Sequence, residues 1–116
     1  MYNAEGQAVA YVDADGESIY LYDGTPAGFL QDGGIYAYSG RFVGWFEQGW
    51  VRDSNGHAVF FTESAGGGPI RPVRQVRPVR GVRQVRPVRG VREVRPVRPV
   101  FSSTWSAVSH EGFFEE

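Results

Sequence analysis

The first 62 residues repeat one twelve-residue phrase four times, and that repetition restricts the fold more than any other feature. Aligned on a central glycine, the copies are MYNAEGQAVAYV (1–12), IYLYDGTPAGFL (19–30), IYAYSGRFVGWF (35–46) and VRDSNGHAVFFT (51–62). Each carries a polar residue and then glycine at its middle: Glu5-Gly6, Asp23-Gly24, Ser39-Gly40 and Asn55-Gly56. Alternating apolar residues flank these pairs. The pattern predicts β-hairpins, each closed by a two-residue turn that needs φ > 0 twice. The second position reads Tyr2, Tyr20, Tyr36 and Arg52, the ninth Val9, Ala27, Val43 and Val59, the eleventh Tyr11, Phe29, Trp45 and Phe61. A period of two places all three positions on one face, which is expected to be the buried one.

The units start at residues 1, 19, 35 and 51, and the links between them hold turn glycines of their own, in Asp15-Gly16, Asp32-Gly33 and Gln48-Gly49. An up-and-down meander follows. A lone hairpin cannot bury its apolar face and is marginal in water. Four of them around a shared axis can, and closure also removes exposed strand edges. Each buried aromatic or valine contributes ~1.5–3 kcal/mol before entropy is charged. The expected fold is therefore all-β: four β-hairpin units in a four-fold pseudosymmetric ring or shallow barrel over residues 1–62.

The four glycine-centred units, the stretch GWFEQGWVRDSNGHAVFFTE (44–63) and an Arg-Val tail followed by Trp105-Ser106 resemble the bacterial four-fold β-flower family. The resemblance covers nearly the whole chain. It implies hairpin petals around a shallow apolar channel and carries no established activity. Two departures stand out: Arg52 replaces the tyrosine of the other units, and the first link is longer than the others. Membrane-occupation-and-recognition repeats also combine glycine with aromatics, but at a different period. A propeller blade would need four strands per unit rather than two.

After a flexible linker (63–70, with SAGGGP at 64–69) the composition changes abruptly. Residues 71–100 are ten unbroken Arg-x-Val triplets, and from Arg74 a nine-residue super-repeat runs RQVRPVRGV, RQVRPVRGV, REVRPVRPV. Five prolines exclude an α-helix, and a strand would scatter the valines over both faces. Polyproline II has three residues per turn, so it places every valine on one edge and every arginine on another. Straight, thirty residues would reach ~93 Å at 3.1 Å per residue. The tail must therefore protrude, wind or pair, with Gly81 and Gly90 as places to bend. Its valine edge is expected to pack on the ring, on itself or on a partner. The segment 101–116 restores aromatics (Phe101, Trp105, Phe113, Phe114) before Glu115 and Glu116, and is expected to dock.

Charge is segregated along the same boundaries. Residues 1–70 sum to −7, residues 71–100 to +9, and residues 101–116 to −3. The arginines Arg71, Arg74, Arg77, Arg80, Arg83, Arg86, Arg89, Arg92, Arg95 and Arg98 are thus candidate contacts to an anion or partner, the first candidate being the chain's own ring. The second- and eleventh-position residues (Tyr2, Tyr20, Tyr36, Arg52; Tyr11, Phe29, Trp45, Phe61) are the candidate lining of a channel, with Arg52 hinting at an anion.

Catalytic signatures are missing from the sequence. His57 and His110 have no second histidine or cysteine at ligand spacing, and Asp13-x-Asp15-Gly16-Glu17 lacks the remaining ligands of a calcium loop. No nucleophile turn, carboxylate pair or phosphate-cradling loop occurs. The expectation is no enzyme, no cofactor and no metal. There is no cysteine, no apolar run of about 20 residues and no signal-like start, which points to a cytoplasmic chain. The expected function is a non-enzymatic interaction or scaffold module that contacts itself or another protein through the valine edge and arginine tail, as a possible homo-oligomer. The alternatives are nucleic-acid or anionic-membrane binding through the arginines, and a small apolar ligand in the channel.

Overall fold

The structure is a computed structural model that describes residues 1–107 and 110–114, with only the backbone of His110 and Glu111. Seven strands among the described residues form one antiparallel sheet in sequence order: β1 (Ala10–Val12), β2 (Ser18–Leu21), β3 (Pro26–Gln31), β4 (Gly34–Tyr36), β5 (Phe42–Glu47), β6 (Trp50–Asp53) and β7 (Ala58–Phe61). Tyr2 takes the place of an eighth strand. It bridges Ala8 across the first hairpin and exchanges both backbone hydrogen bonds with Phe61 of β7, at 2.8 and 2.9 Å. The meander thereby curls back on its own start as a four-petalled disc of 36 × 36 × 22 Å.

The sequence places the two-residue turns at the wrong glycines. At the hairpin tips only the glycine has positive φ: +80° at Gly6, +96° at Gly24, +98° at Gly40 and +86° at Gly56. Gly24 N–H donates to Leu21 O (3.0 Å) and Leu21 N–H to Thr25 O (2.9 Å), so the loop has three residues with glycine closing it in the left-handed region. The links hold the pairs of positive φ instead: Asp32 and Gly33 at 50° and 78°, Gln48 and Gly49 at 52° and 80°.

A second correction follows from the register. Ile19 pairs with Gly28 and Tyr20 with Pro26, leaving Ala27 as an extra residue; Val43 and Val59 are extra in the same way in β5 and β7. This bulge sends the ninth position to the face opposite the second and eleventh. Positions one and nine (Met1, Ile19, Ile35, Val51; Ala27, Val43, Val59) therefore share an aliphatic core with Phe60, Phe113 and Phe114. Phe60 stacks on Phe114 at 5.9 Å and meets the edge of Phe113 at 5.6 Å, so this part of the C-terminal segment is docked in the core. The short helix α1 (His110–Phe113) delivers these rings, while Glu115 and Glu116 lie outside the described residues. The other face carries positions two, eight and eleven with Tyr22 and Tyr38, and it is largely buried as well, because the tail covers it.

Candidate functional site

Residues 71–100 form neither helix nor strand, and they run from hairpin tip to hairpin tip. Gln75, Gln84, Glu93 and Ser102, nine residues apart, donate their backbone N–H to the carbonyls of Gly6, Gly24, Gly40 and Gly56 at 2.8, 2.9, 2.8 and 3.2 Å. The super-repeat of the tail thus matches the petals of the ring one for one. The distances agree: from Val73 to Val100 an extended three-residue-per-turn chain spans ~84 Å, and three quarters of the circumference of a 36 Å disc is roughly 85 Å. The tail is a strap.

Contact at the tips is close. A Cβ on Gly24 or Gly40 would lie under 3.0 Å from the carbonyl of Val82 or Val91. Gly81 and Gly90 donate to Tyr22 O and Tyr38 O, both at 2.6 Å, and a Cβ on either would collide with the backbone of Asp23 or Ser39. These two glycines are points of approach, with an N–H that proline lacks. Glu93 adds a side-chain contact, its Oε1 accepting from Phe42 N–H at 2.7 Å. None of Gln75, Gln84 and Glu93 is a predicted site residue; the signal was the nine-residue phase of the middle position.

The arginine edge faces the ring. Arg80 lies over Tyr11 at 3.8 Å, Arg89 over Phe29 at 4.1 Å, Arg92 over Tyr36 at 5.6 Å and Arg74 over Tyr2 at 5.8 Å. Arg71 stands 6.0 Å from Trp50 and donates to Gly67 O at 3.1 Å. Carboxylates of the links take the heads: Glu63 pairs with Arg74 (3.2 Å), Asp15 with Arg86 (2.7 Å), Glu17 with Arg89 (3.0 Å), Asp13 with Arg83 and Glu47 with Arg98. Arg95 donates to the carbonyl of Asp32. Exposed pairs contribute only ~0–1 kcal/mol each, so the clamp draws on their number and on the arginine stems lying against aromatic rings. Asp15 is the best anchored of these acids. The Ser18 hydroxyl first, then the amides of Ser18 and Glu17, hold its carboxyl well below the usual carboxylate range, with Arg86 helping least.

With the arginines turned inward, the third edge points out. Ile70 and every valine from Val73 to Val100 are 89–95 % exposed. Packing of the valine edge within the chain is thus contradicted: a three-residue turn has three edges, and two are occupied by the aromatic face and the tips.

The eight candidate channel residues meet in pairs across the seams between petals. Tyr11 stacks on Tyr20 (5.9 Å), Phe29 on Tyr36 (5.6 Å) and Phe61 on Tyr2 (5.4 Å), while Trp45 is the cross-strand partner of Arg52. They lie under the strap, on the face opposite the aliphatic core. Arg52 is buried, its Nη1 donating to Gly56 O (2.9 Å) and Ser102 O (2.6 Å) and its guanidinium lying 4.9 Å from the Phe101 ring. Burial pushes its pKa down and Asp53 pushes it back, and the group stays a cation. It pins the strap's exit, which replaces the anion-binding reading. Trp105 closes the path by packing on Trp50 and Phe61.

His57 donates its backbone N–H to Asp53 Oδ1 at 3.0 Å, and among the described residues no three His, Cys, Asp or Glu side chains gather as they would around a metal ion. No helix among them is long and apolar enough to cross a membrane. Searches of curated proteins and of solved structures give no match. The model of one family, described as 4-fold beta flower protein, matches residues 1–114, and the chain belongs to that family.

Proposed function

We propose that this β flower is a non-enzymatic interaction module whose contact surface is the valine rim and whose partner is a second copy of the same chain. The observation that supports it is the outward stripe of eleven aliphatic side chains, Ile70 and Val73 to Val100, on a strap whose arginine edge lies toward the ring. A fully buried valine contributes ~1.5–3 kcal/mol at ~25 cal/mol/Å², or roughly 60–120 Å² each, so the stripe offers roughly 700–1,300 Å². The largest apolar patch on a typical monomer is about 300–600 Å². A stable interface needs about 800 Å² per partner. A second copy carries the same curvature and the same three-residue spacing of knobs, so the valines of one rim can seat in the gaps of the other under a two-fold axis.

The test is sedimentation of the full chain beside a variant with Val76, Val85 and Val94, one per strap sector, changed to serine. The native chain is expected to dimerise at micromolar concentration and to stay dimeric in high salt. The variant should dissociate at least tenfold more readily, with an unchanged monomer melting point, because those side chains are 94–95 % exposed within the chain. A native chain that sediments as a monomer at about 100 μM, near −5.5 kcal/mol of association, overturns the reading.

A further inference from the structure

The nine-residue phase makes the strap sectors comparable: the second pairs three arginines with carboxylates, the first and third one each. Arg86 has Asp15 and Ser18 as partners, and its equivalent Arg95 has the Asp32 carbonyl. The equivalent residue of the first sector, Arg77, makes no hydrogen bond or ion pair with any described residue. Arg89 and Arg98 each combine an aromatic ring with a carboxylate, Glu17 and Glu47. Their equivalent, Arg80, has the ring of Tyr11 and no carboxylate partner among the described residues. The nearby link carboxylate, Glu63, is taken by Arg74 at 3.2 Å.

Arg77 and Arg80 open onto a cleft of 420 Å³ walled by Tyr2, Tyr11 and Tyr22, with Met1 and Glu63 also in its lining. That volume lies within the range of small-molecule sites. Burial first of all lowers the Met1 amine to about 6, with Glu63 acting the other way and Arg77 and Arg80 adding to the lowering. We propose that this cleft binds a small oxyanion attached to a planar ring, an aryl phosphate or aryl carboxylate, with Arg77 and Arg80 on the oxyanion and the tyrosines against the ring. The ligand supplies the carboxylate that the second sector draws from its link. Arginine recognises such groups through paired N–H donors, and tyrosine faces take planar rings at little entropic cost.

Calorimetric titration of the full chain with phenyl phosphate, inorganic phosphate and phenol tests it. Phenyl phosphate is expected to bind with Kd below about 1 mM and at least tenfold more tightly than either fragment. Arg77→Gln should weaken it at least tenfold, the equivalent of about 1.4 kcal/mol. Because Arg77 makes no hydrogen bond or ion pair among the described residues, that variant should melt no lower than the native protein. The charge-matched Arg41→Gln, outside the cleft, should bind as the native chain does. Equal binding by the native chain and Arg77→Gln, phosphate and phenol each matching phenyl phosphate, or no binding at all overturns the proposal. Each outcome is independent of whether the chain dimerises through its rim.

Discussion

Gly40→Val is expected to destabilise the protein by about 3 kcal/mol or more, the largest effect of any single substitution at a hairpin tip. Two causes act at once. The residue holds φ +98°, where a β-branched side chain is strained by roughly 1–2 kcal/mol. Its Cβ would also stand under 3.0 Å from the Val91 carbonyl and Arg92 is close behind, so the strap must lift from the third petal. Lifting it breaks the hydrogen bonds Glu93 N–H to Gly40 O and Gly90 N–H to Tyr38 O, worth ~0.5–1.5 kcal/mol each. Urea unfolding monitored by tryptophan fluorescence measures this. Gly16→Val is the comparison: φ is +74° but no atom stands within 4 Å of the added Cβ, so only the strain remains. Equal losses at the two sites would show that the tip of the third petal is not in contact with the strap.

A chain ending at residue 70 should lose cooperative folding altogether. The strap and the segment after it cover Tyr2, Phe29, Tyr36, Trp45, Trp50 and Phe61, all under 9 % exposed in the full chain, and Phe113 and Phe114 complete the aliphatic core. Removing that cover exposes one whole aromatic face and opens the other, at ~1.5–3 kcal/mol per uncovered side chain. A domain of this size has only ~5–15 kcal/mol in total. The truncated chain is expected to bind hydrophobic dye and to give no sharp near-ultraviolet dichroism or melting transition. A truncated chain that melts within a few degrees of the intact protein would mean that the ring is self-sufficient.

The hairpins were legible because their signal is local. Gly6, Gly24, Gly40 and Gly56 sit in a conformation that side-chain-bearing residues resist, so the four tips could be placed to the residue. The two-residue turns were misplaced because Asp32-Gly33 and Gln48-Gly49 resemble Asp23-Gly24 in composition. Only the hydrogen bonds distinguish a link of two residues from a tip of three. The bulge at Ala27, Val43 and Val59 left no mark in the alternation of apolar residues, since both faces of the sheet are buried and both want apolar side chains. That is why position nine was assigned to the wrong face.

The strap was half legible. The period of three separated arginine, valine and the middle residue onto three edges, and the opposite charges of tail and ring named the partner. Its outer edge was misread through a preference for burying valine over arginine. Arg80 on Tyr11 and Arg89 on Phe29 show the competing physics: a guanidinium covers an aromatic face while its methylenes stay dry. Valine gains less there because it has neither a charge for the link acids nor a stem long enough to lie along an aromatic face. The middle position carried the remaining information. Its order of Pro or Gly, then Gln or Glu, then Pro is the register of the strap on the petals.

Amide hydrogen exchange along residues 71–102 tests the stitching of strap to petals most directly. Protection should recur at Gln75, Gln84, Glu93 and Ser102, and at Gly81 and Gly90, whose N–H groups bond the ring. The arginine and valine amides between them should exchange at the rate of open chain. Uniformly fast exchange across the segment, or protection with no nine-residue period, would contradict it.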